Sequence, residues 1–448
     1  MEFQAFKQAV IAAAAARGVA EYELYYQTAE STSVEVFRDQ VNDFTAAVDG
    51  GVCLRCVVNG KMGYASTEEL SEAAAQALVR RAADNAAVLE ADTPEVLGQG
   101  GKDYEAFAPQ ADEMPATDAL IRTALDAQKA LYAADPAVVD GTVTDTLAQR
   151  LKIAISNSNG LDLEYENTLS AVMLHAVATD GTEKADDFTL KTGALDTLDL
   201  PALAAQTAAA AKARLGAGVA PTGAYPVVFS PEAMSELLGT YSPVFSSENA
   251  QKGLSLLAGK EGEAIAAPIV TLVDDPFYPG SPMPIPFDAE GSPAHCKNVI
   301  ENGTLKTLLY NLKTAAAAGR ETTGNAAKSG YGAKISVSPF TLYLAPGGCT
   351  EDELLQKAGS GVYINSLGGL HAGANVISGD FSLQSAGFMI ENGKKTRAVK
   401  SFTVAGNFYQ LLKQITAVAD TVKLPRATGI TSFGAPSVLV EGLTIAGK

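Results

Sequence analysis

The spacing of apolar and polar positions along this chain changes several times, and each change predicts an element. "FQAFKQAVIAAAAARG" repeats its apolar residues at helical spacing, is rich in strong helix formers and closes on Gly18, which predicts a first helix. From Glu21 to Ser66 the spacing drops to alternation. "YELYYQ", "SVEVFRD" and "GVCLRCVV" read as strands, and Asn59-Gly60 joins the last of them to "KMGYAS" as a two-residue hairpin. "STEELSEAAAQALVRRAADNAAVL" returns to helical spacing behind a capping box from Ser66 to Glu69. A further helix runs from Thr117 to Ala134, ahead of Pro136. "LKIAISNSNGLDLEYENTLSAVMLHAVATDG" predicts a hairpin turning at Asn157 to Gly160 and then a strand, and "PALAAQTAAAAKARLGAG" one more helix.

The glycine and proline cluster "GAGVAPTGAYP" interrupts this pattern and predicts a boundary, giving an N-terminal domain over 1–220 and a C-terminal domain over 221–448. The second domain is richer in strands: "YPVVFS", "PIVTLVDD", "KNVIENGTLKTLLYN" with a turn at Asn302-Gly303, "FTLYLAPG", "GVYINSLGG", "SLQSAGFMIENG" and "PSVLVEGLTIAG". Helices are predicted at "TEDELLQKAG", behind a capping box from Thr350 to Glu353, and at "NFYQLLKQITAVAD". Strands and helices do not alternate regularly, so the expected class is α+β, with an antiparallel or mixed sheet in the C-terminal domain.

Length and composition narrow the function. A chain of 448 residues, 47% hydrophobic and 19% charged, should fold as a globular protein. Its 33 basic against 51 acidic residues give a net charge of -18, without a basic run able to neutralise phosphates. No direct nucleic-acid partner is expected. The first residues lack a basic region followed by an apolar core, and no apolar run reaches membrane-spanning length, which predicts a cytoplasmic protein without a membrane partner. Four scattered cysteines fit a reducing compartment.

The reactive residue types mostly have structural explanations. Cys53 and Cys56 have C-x-x-C spacing, but on a strand positions three apart face opposite sides and cannot share a metal. His175 alternates with Met173 and Val177 as a sheet histidine would, and adjacent His295 and Cys296 point apart on extended chain. The H-E-x-x-H, G-x-S-x-G, phosphate-loop and dinucleotide-loop motifs are absent. What remains is "GGLHAGANVISGDFS", residues 368–382. Its Gly369, His371, Asn375, Ser378 and Asp380 suggest a peptide-binding backbone, a triad of Ser378, His371 and Asp380, or a tight connection between strands.

Several blocks carry a family resemblance: "GGVCLRCVVNGKMGYAST", "TLVDDP", "GSPAHCKNVIENGTLKTLLYNLKTAAAAG" and "GANVISGDFSLQSAGFMIENGKKTRAVKSFTVAGN". In order and spacing they resemble the TldD/PmbA family, once labelled modulators of DNA gyrase and related to peptidase U62. The resemblance implies a two-domain α+β fold and a role in cytoplasmic proteolysis of flexible peptides. It implies zinc in the TldD branch, held by two histidines of a His-Glu-x-x-x-His helix and a cysteine near the C-terminus. The PmbA branch, also called TldE, lacks that set and pairs with TldD.

Aligned on Leu237-Leu238 and "AGKEGE", the metal helix falls on "GTYSPV", with Gly239, Thr240 and Val244 in the His, Glu and His positions. None is a zinc ligand of the required kind, Pro243 interrupts the helix, and no cysteine follows Cys349. The resemblance therefore implies a PmbA/TldE-type subunit with no cofactor of its own, zinc being expected in a TldD-like partner. An extended peptide would add to a strand edge near Gly369 to Asp380. Two alternatives stay open: a non-catalytic homodimer that binds peptide or protein, and an independent metal-free hydrolase.

Overall fold

The computed structural model describes residues 1–88, 96–106, 113–428 and 430–447. Its N-terminal half is built on one sheet. In chain order come α1 (Phe3–Ala16), β1 (Glu21–Phe37), β2 (Gln40–Val58), β3 (Lys61–Thr67), α2 (Glu72–Val88), α3 (Thr117–Ala134), β4 (Val143–Asn157), β5 (Asp162–Thr179), β6 (Lys184–Thr192) and α4 (Leu200–Ala213). The strands form an antiparallel sheet in the order β3-β2-β1-β4-β5-β6. Strand alternation assigns its two faces. Leu24, Val52, Leu54 and Cys56 pack on α1 and α2, and Val34, Val36, Val172 and Leu174 face the helical residues Leu120, Ala124, Leu131 and Ala204. On the other face Tyr25, Cys53, Ile153, Ile155 and Tyr165 meet Met283, Phe287 and Ala289 of the C-terminal half.

That half opens with β7 (Gly223–Phe229), α5 (Pro231–Tyr241) and α6 (Ser247–Gln251), followed by β8 (Leu272–Asp274), β9 (Lys297–Glu301), β10 (Thr304–Leu305) and α7 (Leu312–Ala317). After the small pair β11 (Ala326–Ala327) and β12 (Ser336–Val337) come β13 (Thr341–Leu344), α8 (Glu351–Ala358), β14 (Gly361–Gly368) and α9 (Leu370–Gly373). The chain ends on β15 (Asp380–Glu391), β16 (Lys394–Asn407), α10 (Phe408–Lys413), β17 (Ile415–Val418), β18 (Lys423–Thr428), β19 (Thr431–Ala435) and β20 (Val438–Ala446). Two six-stranded sheets result, ordered β10-β9-β8-β13-β19-β18 and β16-β15-β14-β7-β20-β17. Pairing of Thr403–Ala405 with Ala446–Thr444 closes the second sheet on itself. Both are mixed, through the parallel pairs β13–β19 and β14–β7, so the α+β class with a mixed C-terminal sheet is what the chain adopts.

A buried ionic link joins the halves. Arg55 Nε donates to Glu23 at 2.7 Å and Nη1 to Glu290 at 3.3 Å, with all three side chains 4% exposed or less. Glu23 also accepts from Asn157 Nδ2 at 3.2 Å, and Glu290 from the Leu312 amide at 2.7 Å. Burial raises the Asp288 and Glu290 carboxyls above their usual range, while Arg55 pulls Glu290 the other way.

Several local expectations change. The helix expected behind Ser66 starts at Glu72, because Ser66 and Thr67 continue β3, paired with Cys53 and Val52, and Ser71 Oγ caps Ala74 N instead. The expected helix over residues 407–420 stops at Lys413, and Ile415–Val418 pairs with β20. The segments "YELYYQ" and "SVEVFRD" are one strand, β1, and β2 begins far earlier than expected, at Gln40. The turn between them uses Arg38 and Asp39 at φ 52° and 58°, without the glycine that would announce it. β6 was not expected at all. The Asn59-Gly60 and Asn302-Gly303 turns and the Thr350–Glu353 capping box form as anticipated.

Candidate functional site

Ser230 caps α5, its Oγ accepting from Ala233 N at 3.2 Å, and Pro231 sits where a missing N–H costs nothing. The helix ends at Tyr241 and the chain tightens into a short 3-10 turn, Ser242–Phe245, that contains Pro243. Gly239 offers no side chain, Thr240 Oγ1 donates to Glu236 O at 2.8 Å, and Val244 is fully buried. Cys349 is also buried, its thiol donating to Val418 O at 3.2 Å. These residues do not fit a zinc ion, and among the described residues no group of three His, Cys, Asp or Glu side chains could hold one.

The second region is the connection from β14 to β15. Gly369 enters it at φ +74°, where a side chain would be strained, and α9 follows with His371 exposed on its single turn. Asn375 Oδ1 accepts from Ile377 N at 3.0 Å and Ser378 N at 3.1 Å, forming an Asx turn. Ser378 Oγ donates to Asp380 Oδ2 at 2.8 Å, and Asn407 Nδ2 reaches both Ser378 O at 2.9 Å and Asp380 Oδ1 at 2.8 Å. The amide of Asn407 and the hydroxyl of Ser378 hold the Asp380 carboxyl below the usual carboxylate range. Among the described residues no hydrogen bond connects His371 to Ser378 or Asp380. The polar side chains of this loop therefore hold the loop itself, and no charge relay is assembled.

Tertiary structure brings the two regions together. Tyr241, at the end of α5, donates its hydroxyl to Asp380 O at 2.9 Å and stacks on Phe408 with ring centroids 4.5 Å apart. Burial, with the Asp380 charge nearby, pushes the Tyr241 phenol up to about 12. Phe408 N donates to Gly379 O at 2.7 Å, and Asn407 Oδ1 caps α10 through Tyr409 N at 3.1 Å. Ser255 Oγ, from the loop after α6, donates to Val244 O at 2.6 Å. Gly379 has no room for a side chain: φ is +84°, and a Cβ there would lie 2.5 Å from the Tyr409 ring. The site is thus made by the end of α5, the loop after α6, residues 369–380 and the start of α10.

Three family models match the chain: PmbA/TldA metallopeptidase domain 1 over residues 22–86, the central domain over 111–215 and the C-terminal domain over 222–447. The chain belongs to the PmbA/TldD family. A crystal structure of a Thermotoga maritima protein, described as a candidate modulator of a DNA gyrase, is 32% identical with a TM-score of 0.90, covering 99% of this chain and 100% of its own. A metalloprotease of Methanothermobacter thermautotrophicus is 29% identical over 410 residues, 89% of this chain and 87% of its own length. The Haemophilus influenzae metalloprotease PmbA homologue is 25% identical over 456 residues, 99% of this chain and 97% of its own. The first two family domains share the single N-terminal sheet, since β1 of one pairs with β4 of the other.

In this member of the family the remaining histidines and cysteines have local partners or lie apart from the site. His175 Nε2 meets Asp186 Oδ2 at 3.1 Å, and Cys53 and Cys56 face opposite sides of the sheet. His295 Nδ1 lies 3.4 Å from Pro293 O, while Cys296 is exposed, its thiol raised mainly by desolvation with Asp275 adding to the effect. Tyr241, Asn407 and Tyr409 were not anticipated as site residues. Asn407 had a readable signal, a helix-capping residue directly before "FYQLLK". The Tyr241 contact spans 139 residues and had none.

Proposed function

We propose that this chain is a metal-free subunit of the PmbA/TldE type, which assembles with a TldD-like zinc metallopeptidase and helps hold an extended peptide for cleavage in the cytoplasm. The observation that carries this reading is the end of α5. Gly239, Thr240 and Val244 stand at the positions where the family resemblance calls for zinc ligands and general base, and none can bind the ion or activate water. Kinship along almost the whole length with a PmbA homologue supports the same branch. The neighbouring loop would serve as a preformed surface: residues 369–380 lie on the outside and are fixed in shape by their own hydrogen bonds, so little freedom would be lost when a peptide docks on them.

The test is co-expression with a TldD-like paralogue. Complex formation on a sizing column, with peptide cleavage that needs both chains and is lost on chelation, is the expected result. Absence of a complex, together with unchanged cleavage when this chain is omitted, would refute the reading.

A further inference from the structure

Among the described residues the C-terminal half covers its face of the N-terminal sheet around Tyr25, Cys53, Leu151, Ile153, Ile155 and Tyr165, and out to Asn167 and Leu169. Further out that face is open, with Phe188 61% and Leu190 42% exposed. Strand register determines which side chains share it. Leu190 pairs with Met173, Met173 with Asp145, Asp145 with Glu35 and Glu35 with Asp43, so one row crosses β6, β5, β4, β1 and β2. The next row runs Phe188, His175, Val143, Phe37. In the first row the β6 and β5 end is therefore apolar and the β4 to β2 end carries three carboxylates; the second is apolar apart from His175.

Like charges directly opposite one another on adjacent strands destabilise a sheet. Here they are left facing each other. Among the described residues no ion pair neutralises Glu35, Asp43 or Asp145; Glu35 accepts from the Asn42 amide, and Asp43 from the Thr45 hydroxyl at 3.4 Å. Burial and the Glu35 charge push the Asp145 carboxyl up to about 6, with His175 pulling the other way. His175 is itself turned to Asp186. A cation placed over the row would relieve its repulsion. A second copy of this face would bring more carboxylates, or bury them against Phe188 and Leu190, and either is unfavourable.

We propose that this open face binds an extended peptide crossing the strands, with a bulky apolar side chain over Leu190, Met173 and Phe188 and a lysine or arginine over Glu35 and Asp145. Neighbouring strands lie about 4.8 Å apart, so β6 and β1 are about 14 Å apart, the span of about four extended residues, and side chains four positions apart point to the same side. The ligand class is thus a peptide with an apolar and a basic residue four positions apart. The inference rests on reading this chain as a peptide-holding subunit and adds the kind of peptide it selects.

The test uses the purified full-length chain and a fluorescein-labelled peptide, Leu-Ala-Ala-Ala-Lys-Ala, beside its counterpart with glutamate for lysine. In low salt, anisotropy should show about tenfold tighter binding of the lysine peptide. Glu35→Gln with Asp145→Asn should close that gap, and Phe188→Ser with Leu190→Ser should weaken both peptides alike. Equal binding of the two peptides, or a gap that survives the carboxylate variant, would overturn the proposal. So would sedimentation data in which Phe188→Ser with Leu190→Ser splits an oligomer of this chain, since the face would then be a subunit interface. The measurement needs no metallopeptidase partner, so failure of the subunit reading would appear separately, in the co-expression assay.

Discussion

Replacing Arg55 with methionine should destabilise the protein by about 3–5 kcal/mol, the usual consequence of removing one partner from a buried ionic group. The guanidinium is 4% exposed and contacts two carboxylates that are 2% and 3% exposed, so water cannot take its place. Glu290 can respond by holding a proton, because burial already raises its carboxyl and the Leu312 amide remains its partner. The loss falls mainly on Glu23, which keeps Asn157 Nδ2. The same logic predicts rescue: Arg55→Met with Glu23→Leu removes both members of the buried pair and should recover part of the stability. The chain has no tryptophan, so urea titration is best followed by far-UV circular dichroism. A single variant within about 1 kcal/mol of the wild type, or a double variant no more stable than the single, would refute the argument that this link is desolvated and structural.

Three further outcomes are expected. Asn407→Ala removes the cap of α10 and both ties to the 375–380 loop, so it should cost about 1–2 kcal/mol and speed hydrogen exchange at Ile377 to Asp380, read by mass spectrometry. Asp145 is raised above its unfolded value, so its burial should lower stability as pH rises from about 4 to about 6; Asp145→Asn should flatten that part of a melting-temperature profile. Grafting Gly239→His, Thr240→Glu and Val244→His should not create a zinc site measurable by calorimetry, because α5 ends at Tyr241 and position 244 lies buried in the 3-10 turn.

Much of the local structure was legible because it depends on neighbours in sequence. Helical spacing with Gly18 and Pro136 as stops gave α1 and α3, and Asn-Gly pairs announced two hairpins. The errors came where a distant partner overrode a local preference. Ser66 looks like a helix cap but is held in β3 by Cys53, and "ITAV" looks helical but pairs with β20. Within the candidate site, that Gly239, Thr240 and Val244 carry no zinc-binding side chain could be read directly, since it depends on which atoms those residues carry. The triad suggested for Ser378, His371 and Asp380 could not be decided that way, because it depends on where His371 points.

The sequence by itself determined the family and most of the alternating and helical segments, all consequences of residue type and short-range spacing. Only the tertiary structure decided that Tyr241 reaches Asp380, that Arg55 binds the halves together and that Glu35, Asp43 and Asp145 share one row with Met173 and Leu190. Those arrangements join residues far apart along the chain. Strand register and buried contacts depend on the closed fold as a whole, and no local pattern encodes them.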